Sequence, residues 1–304
     1  MFVIKYRKFF FILSGVLLIG SCIGLGVWGL KPSIEFVGGS TLTVGYGTST
    51  PPAIDAAKAA LATAGFEDAT IRTEGDNGIN IRTRALIEGD RDKLTAVLTS
   101  LGGTPTIERL SSIGPSVGQE LRHKTAKALV MVLVMIMLYI AFVFRKVSKP
   151  ISSWVYGLVT IVTLIHDVVI PAGVFVLLGH FVGYEADTLF VVAILTILGL
   201  SVTDTVVVFD RVRENLERGG DSAQKNFTEI VGKSLEQTYV RSFNTSFTVV
   251  LVLLVLFFVG SASVHTFVLT LLVGIIAGTY SSIFIASPLL VVFANRKLAK
   301  LENK

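Results

Sequence analysis

The chain carries little charge and a single cysteine. Of its 304 residues, 16% are charged and 52% are hydrophobic, and the mean hydropathy is +0.70. One cysteine, Cys22, excludes an intramolecular disulfide framework, because a disulfide needs two. The sequence also has no nucleotide-binding loop, no zinc-ligand spacing and no Ser-His-Asp arrangement. We therefore predict no enzyme activity, no metal ion and no cofactor in a protein too apolar for the soluble globular class.

Six long apolar runs occupy most of the sequence. They lie at about 10–30, 126–144, 151–178, 186–209, 243–260 and 267–293. Each is close to the ~20 residues that a helix needs to cross ~30 Å of hydrocarbon. We therefore predict a polytopic α-helical membrane protein with six transmembrane helices.

Lysine and arginine are distributed unevenly between the connecting segments. The basic residues that flank the runs on one side are Lys5, Arg7, Lys8, Arg145, Lys146, Lys149, the six from Arg211 to Arg241, and Arg296, Lys297, Lys300 and Lys304. The short loops 180–185 and 261–265 on the other side have none. By the positive-inside rule both termini are cytoplasmic and segment 31–124 is extracytoplasmic. The positive-inside distribution accounts for the net charge of +5, so we predict membrane lipid as a partner and no nucleic acid.

Segment 31–124 is the region predicted to fold in water. Alternating apolar residues predict strands at about 40–46, 69–73, 78–85 and 104–110, and helical spacing predicts helices at 53–64 and 90–101. The order βαββαβ is that of the ferredoxin-like α+β arrangement. The predicted organisation is thus an N-terminus and first helix at 1–30, an extracytoplasmic ferredoxin-like domain at 31–124, and a bundle of the other five helices at 125–304.

A cytoplasmic amphipathic segment, 211–240, lies between the fourth and fifth runs. Phe227, Ile230, Val231 and Leu235 recur at helical spacing opposite charged residues. This pattern is typical of a helix lying on the inner membrane surface.

One acidic residue interrupts the fourth run. Asp204 lies in a stretch that is otherwise apolar or hydroxylic from Leu189 to Phe209. An Asp at the centre of a membrane helix costs about 2.5 to 3.5 kcal/mol, so we interpret Asp204 as a functional residue that has a partner. A purely structural hydrogen bond between helices is the alternative interpretation.

Two further features lie in the third and sixth runs. His166 and Asp167 fall near the middle of the third run, about 20 Å from its cytoplasmic start. Either they extend a proton path or they tie helices together; side chains of adjacent helical residues point about 100° apart, so we expect no side-by-side pair. In the sixth run, Gly274, Gly278 and the Ser281-Ser282 pair predict a face for close helix packing.

These residues belong to segments that resemble the SecF family, the smaller membrane subunits of the bacterial SecDF protein-export complex in the RND superfamily. The segments are, in order, Ile34 to Gly39, Ile113 to Leu121, His166-Asp167, Asp204 to Arg211, Arg241 with Asn244 to Ser246, and Gly278 to Ala286. The likeness runs from about Ile34 to Val292. Six matches in the family's order, on a matching topology, make the resemblance specific.

The sequence departs from the family pattern at two positions. Thr203 stands before Asp204 where the family usually has Asn, and Val143 stands where the second span usually has Arg. A Thr hydroxyl can also donate to a carboxylate, so we expect the hydrogen bonding of Asp204 to be retuned.

The resemblance implies a function in protein export. A SecF-like subunit would use the proton motive force, with a SecD-like partner and a SecY-type channel, to promote translocation of preproteins across the bacterial cytoplasmic membrane. Asp204 would bind and release the proton, and Arg241 would be its cationic partner, because Arg241 lies a few residues into the fifth span at a matching depth. Arg241 as an anchor that snorkels to the lipid headgroups is the alternative. Sodium ions are compatible with the same residues.

Two other function classes stay open on the sequence. Asp167 and Asp204 could form the catalytic pair of an intramembrane aspartyl protease, although Ser201 to Asp204 lacks the Gly-x-Gly-Asp signature. An RND-type exporter of small molecules or lipids has a similar architecture but a much larger outer region. One six-span unit is half of such a pseudo-symmetric body, so we predict a SecD-like companion chain.

Overall fold

The computed structural model describes residues 2–47, 49–75, 77–145 and 151–302, and for 221–225, 262–263 and 298–302 it describes the backbone alone. Lys146, Lys149 and Lys304, which we counted among the cytoplasmic basic residues, lie outside these ranges. The chain divides into two compact units. The membrane unit comprises Met1–Lys31 and Lys127–Lys304, and the sheet unit comprises Pro32–Ala126.

Helices dominate the membrane unit, and a small sheet forms the other. In chain order the elements are α1 (Phe2–Lys5), α2 (Arg7–Val27), α3 (Ile34–Val37), β1 (Gly39–Gly45), α4 (Ile54–Thr63), β2 (Thr70–Glu74), β3 (Gly78–Thr83), α5 (Asp90–Ser100), β4 (Thr106–Ile113), α6 (Pro115–Val143), α7 (Ser153–Phe181), α8 (Thr188–Lys225), α9 (Phe227–Val259), α10 (Ala262–Ser281), a π-helix (Ser282–Ala286) and α11 (Ser287–Glu302). Helix α8 has a non-helical residue at Gly220, with φ of 55°.

In the described residues, six helices are long and apolar enough to cross a membrane, as the sequence predicts. They are α2, α6, α7, α8, α9 and the continuous rod of α10, the π-helix and α11. Several extend well beyond the apolar runs, because charged residues end an apolar run without ending a helix. The apolar windows of α7 and of the α10–α11 rod are 56% and 67% buried, whereas that of α6 is only 6% buried. Helix α7 and the rod therefore form the centre of this unit.

The two larger hydrophobic clusters of the described membrane-unit residues hold its helices together. One is built around the stacked rings of Phe144 and Tyr156, whose centroids are 5.2 Å apart, with Phe209 edge-on to both. The other surrounds Phe175 and Phe190. Each cluster joins residues from several spans, so the helices pack as one bundle.

Small residues bring the helices close together, which confirms the packing interpretation of the sixth run. A Cβ added to Gly274 would collide with the Ile197 side chain, and one added to Gly278 would lie 3.1 Å from Ser201 Cβ. The same occurs between α2 and α7, where a Cβ on Gly173 would lie 2.7 Å from the Cα of Ser21.

The amphipathic segment does not form a separate helix on the membrane surface, so that prediction is wrong. Its second half is the beginning of α9, and its apolar stripe is buried inside the protein: Phe227 is 1% exposed, Val231 0% and Leu235 4%. Phe227 and Val231 pack in the cluster around Phe209. An amphipathic stripe shows that one face is buried, but it does not show whether lipid or protein covers that face.

The sheet unit contains four strands, in the order β2-β3-β1-β4, and all neighbouring strands are antiparallel. The strands lie at the four predicted positions. Alternate residues of β1 and β3 point into the core, where Leu42, Val44 and Ile81 are 0% exposed, and they meet Leu61 of α4 and Leu94 of α5. Helices α4 and α5 thus supply the apolar residues that complete this core.

Candidate functional site

The candidate site is a cavity of about 160 Å³ between α8, α9 and α10. Asp204 of α8 lines it, together with Arg241 and Ser246 of α9 and Thr279 of α10. Ser246 Oγ donates to Asp204 Oδ2 at 3.2 Å, and Thr279 Oγ1 donates to Ser246 Oγ at 2.7 Å. Hydroxyl groups therefore link the Asp204 carboxylate to two other helices, in a cavity with room for several water molecules at roughly 10–15 Å³ each.

Arg241 lines the cavity, but it does not touch the carboxylate. Within the described part of the chain, no ion pair of 4.0 Å or less joins Arg241 to Asp204. The side chain is exposed, whereas Asp204 is half-buried. The structure thus brings both residues to one cavity, and their direct pairing stays a prediction.

Thr203 does not supply the expected hydrogen bond to Asp204. Its hydroxyl donates to the carbonyl oxygen of Gly199 at 3.0 Å, one turn back on α8. A hydroxyl has one hydrogen to donate, and bonding to the i−4 carbonyl is common for Thr in helices. Ser246 takes the place of Thr203 as the donor.

His166 and Asp167 form a second polar site inside the bundle. Asp167 is 0% exposed and His166 is 2% exposed. His166 Nδ1 lies 2.8 Å from Asp167 Oδ1, while the hydroxyls of Ser201 on α8 and Ser281 on α10 both donate to Oδ2, the latter at 2.7 Å. Asp167 therefore joins α7 to α8 and α10 through Oδ2, while Oδ1 contacts His166 on its own helix.

The expectation that His166 and Asp167 do not form a pair is wrong. Both side chains are short, and the ring nitrogen of His nearest the backbone can reach an adjacent carboxylate when both are turned toward each other. Burial favours this contact, because an isolated carboxylate in an apolar interior is costly. Pro171 follows four residues after Asp167 and has no N–H, so the usual helical bond to the Asp167 carbonyl cannot form.

The sixth span contacts both acidic sites within one turn. Thr279 reaches the Asp204 cavity, Ser281 bonds Asp167, and Ser282 Oγ lies 3.0 Å from Thr205 Oγ1 of α8. The π-helix Ser282–Ala286 begins at this point, and such insertions are frequent at functional sites. The sequence pattern predicts a packing role alone for Ser281 and Ser282, and it does not single out Ser201 or Thr279. A hydroxyl side chain within an otherwise apolar span is the sequence signal that could have identified these hydrogen-bond donors.

The two aspartates accept hydrogen bonds from different side chains. Among the described hydrogen bonds, Asp204 and Asp167 share no partner. The described residues also contain no group of three or more His, Cys, Asp or Glu side chains placed to hold a metal ion.

Comparison with known proteins identifies related membrane proteins. A family model described as protein export membrane protein SecD/SecF, C-terminal, matches residues 93–296. The protein translocase subunit SecF of Thermobaculum terrenum is 40% identical over 312 residues, covering 98% of this chain and 96% of that protein. The subunit of the same name from Anaerolinea thermophila is 35% identical over 289 residues, covering 94% and 92%.

Solved structures give the same result. The crystal structure of SecDF from Thermus thermophilus, described as a translocon-associated membrane protein, matches with a TM-score of 0.80 at 30% identity, covering 96% of this chain and 38% of that chain. A crystal structure of SecDF in its super-membrane-facing form matches with a TM-score of 0.68, also at 30% identity, covering 99% and 39%. This chain therefore spans about two fifths of the length of these SecDF chains.

Proposed function

Because the chain belongs to the SecD/SecF family of protein export membrane proteins and has a role in protein export, we propose that it is the SecF-type half of a proton-driven translocation motor. With a SecD-type partner, it uses the proton motive force to promote translocation of preproteins across the bacterial cytoplasmic membrane. The supporting observation is Asp204, a carboxylate that lines a cavity inside the membrane unit together with Arg241.

A SecD-type partner is the second subunit of the proposed complex. The chain matches 38% of a single SecDF chain, whereas it covers 96% of a relative named SecF. We infer that a SecD-type partner corresponding to the remaining length of SecDF pairs with the membrane unit. A SecY-type channel, the translocating preprotein and membrane lipid are the other contacts of this complex.

The sheet unit is an extracytoplasmic ferredoxin-like domain, and both termini are cytoplasmic. The sheet order β2-β3-β1-β4, with a helix between β1 and β2 and another between β3 and β4, supports the ferredoxin-like assignment. The orientation is supported by the cluster that joins Ile4, Phe144, Phe209 and Leu290, because each of these residues lies a short distance along the chain from a basic segment. The basic segments thus gather at one end of the bundle, as the positive-inside rule requires.

Coupling depends on the charge of Asp204. An arginine guanidinium stays charged, so the charge state of Asp204 sets the net charge of a cavity lined by these two residues. The ionised carboxylate attracts the guanidinium across the cavity, whereas the neutral acid does not. Proton binding therefore lets α8 and α9 move apart, proton release draws them together, and this rearrangement drives the sheet unit.

The test is export of a secreted reporter in cells depleted of their own SecF and complemented by this chain with its SecD-type partner. We expect Asp204→Asn and Arg241→Met to accumulate normally in the membrane and to lose export. Asp210→Asn is the matched control: the residue lies on the same helix, is exposed and pairs with Arg213 at 3.4 Å. Wild-type export by both cavity variants would show that these residues do not couple protons to translocation.

A further inference from the structure

The buried pair of His166 and Asp167 is connected to the Asp204 cavity by one side chain. Ser201 is 4% exposed, its hydroxyl donates to Asp167 Oδ2, and the residue also lines the cavity. Gly278 faces it across the helix contact, where a Cβ would lie 3.1 Å from Ser201 Cβ. Ser201 thus stands between a cavity with room for water and a carboxylate that is 0% exposed.

We propose that Asp167 is a second proton-binding group and that Ser201 is the positioning residue that relays protons between Asp167 and the Asp204 cavity. This role rests on the proposed function, because a second proton-binding group matters to a protein that moves protons.

The relay needs a hydroxyl group that can both donate and accept. With Asp167 ionised, the Ser201 hydroxyl donates to Oδ2. A proton arriving from water in the cavity binds the Ser201 oxygen while the hydrogen already on that oxygen passes to Asp167. The serine ends as a neutral hydroxyl that accepts from the new carboxylic acid, so the proton count balances. Reversing these steps returns the proton to the cavity.

The surroundings of Asp167 favour exchange of a proton over a fixed charge. His166 contacts Oδ1 through Nδ1, and its other ring nitrogen is buried without a hydrogen-bond partner. The imidazole ring thus places a second nitrogen, which can donate or accept a hydrogen, directly beside the Asp167 carboxylate. A cluster that served only to join helices would not need a titratable ring with an unused nitrogen.

Few other ionisable groups face this pair. Helix α10 contributes Tyr280, whose ring stacks on His166 with centroids 6.1 Å apart and whose hydroxyl donates to the Phe10 carbonyl. Helix α2 has no acidic, basic or histidine residue from Phe9 to Trp28, and neither has 282–294 in the π-helix and α11. On α8 and α9 the groups are Asp204 and Arg241, which face the shared cavity. The charge state of the pair is thus coupled chiefly to that of the cavity.

The test follows carboxylic acid groups directly, by infrared difference spectroscopy of the full chain in lipid nanodiscs during pH titration and hydrogen–deuterium exchange. We expect Asp167→Asn to remove one titrating carboxyl band and Asp204→Asn to remove another. Ser201→Ala should slow the deuteration of the Asp167 carboxyl group. The same substitution should shift the titration midpoint of the Asp167 band upward by about one pH unit, because a hydrogen bond to the charged carboxylate is lost. Ser201→Thr, which keeps the hydroxyl, should restore both properties.

Thr196→Ala is the control for removing a hydroxyl from α8, since Thr196 is exposed and donates to the Val192 carbonyl at 2.7 Å. If Asp167→Asn does not fold, the comparison of Ser201→Ala with Ser201→Thr still tests the relay. Identical spectra for Ser201→Ala and Thr196→Ala, or no titrating band assigned to Asp167, would overturn the relay. Export by Asp204→Asn at the wild-type level, with the relay spectra as expected, would instead overturn the proposed function alone.

Discussion

At the scale of single residues, a buried carboxylate also stabilises the sheet unit. Asp90, the first residue of α5, is 2% exposed, and its Oδ2 accepts from Arg84 Nη1 at 2.7 Å and from the Ile87 N–H at 3.1 Å. The hydrogen bond from Arg84, together with that from Ile87, holds the pKa of Asp90 below its ordinary value. Its ionised form therefore closes the turn that leads into the helix.

Replacement of Asp90 by Asn should weaken this unit and reduce its sensitivity to acid. A depressed pKa contributes stability that is present above the pKa of the unfolded chain and is lost as pH falls through the folded value. Hydrogen exchange of the sheet-unit amides in the full chain, at neutral and at acid pH, measures the effect. In the wild type, amide protection in the sheet unit should fall when the pH is lowered. In Asp90→Asn, protection should be lower at neutral pH and should depend less on pH. The exposed Asp92→Asn serves as control, and an equal change in both variants would contradict the role of Asp90.

The sequence located both intramembrane acids but not their donors. Asp204 and Asp167 stand out because any ionised group is costly in an apolar run. Serine and threonine carry no such signal, since a hydroxyl in a helix can satisfy itself on the carbonyl one turn back, as Thr203 does. Only the packing of the helices decides that Ser201 and Ser246 turn toward a carboxylate.

At the scale of elements, the spans were predictable and their contacts were not. Length and apolarity define a membrane helix, so the six spans follow from the sequence. The π-helix after Ser281 could not be predicted from the hydrophobic pattern, because one extra residue in a turn does not change the pattern of an apolar span. The apolar stripe of Phe227, Val231 and Leu235 is buried against protein, although the sequence pattern predicted a helix on the membrane surface. The helical spacing of apolar residues is the same whether lipid or protein covers them, so the spacing cannot distinguish the two cases.

Close packing of α2 on α7 makes Gly173 sensitive to substitution. In Gly173→Ala the new methyl group would lie 2.7 Å from the Ser21 Cα, and a backbone atom cannot move aside without displacing its helix. We expect a loss of about 1–3 kcal/mol in the free energy of unfolding from overpacking. Thermal unfolding in detergent, followed by circular dichroism, gives the measurement. Gly20→Ala on α2, where nothing lies within 4 Å of the new Cβ, should be neutral or stabilising. Equal stability of the two variants would exclude this packing contact.

At the scale of the whole molecule, the chain passes twice between the membrane unit and the sheet unit, at 31–32 and at 126–127. The proposed motor requires the sheet unit to lie outside the membrane, where it can act on emerging preprotein, and the basic ends of the helices to lie inside. We predict this orientation from charge alone, because translocating a cluster of Lys and Arg is disfavoured, while a long domain crosses largely regardless of its charge.

Cysteine labelling tests this orientation, since Cys22 is the only cysteine to remove. In a Cys22→Ala background, Lys58→Cys places a thiol on an exposed position of α4, and Arg218→Cys places one on an exposed position of α8. A membrane-impermeant maleimide added to intact spheroplasts should label Lys58→Cys and not Arg218→Cys, and both should react after lysis. The hydropathy of a helix does not depend on the direction in which the helix crosses the membrane, so a reversed labelling pattern would leave the six predicted spans unchanged. It would nevertheless place the sheet unit in the cytoplasm, where it could not draw preprotein outward, and the proposed motor would fail together with the positive-inside assignment.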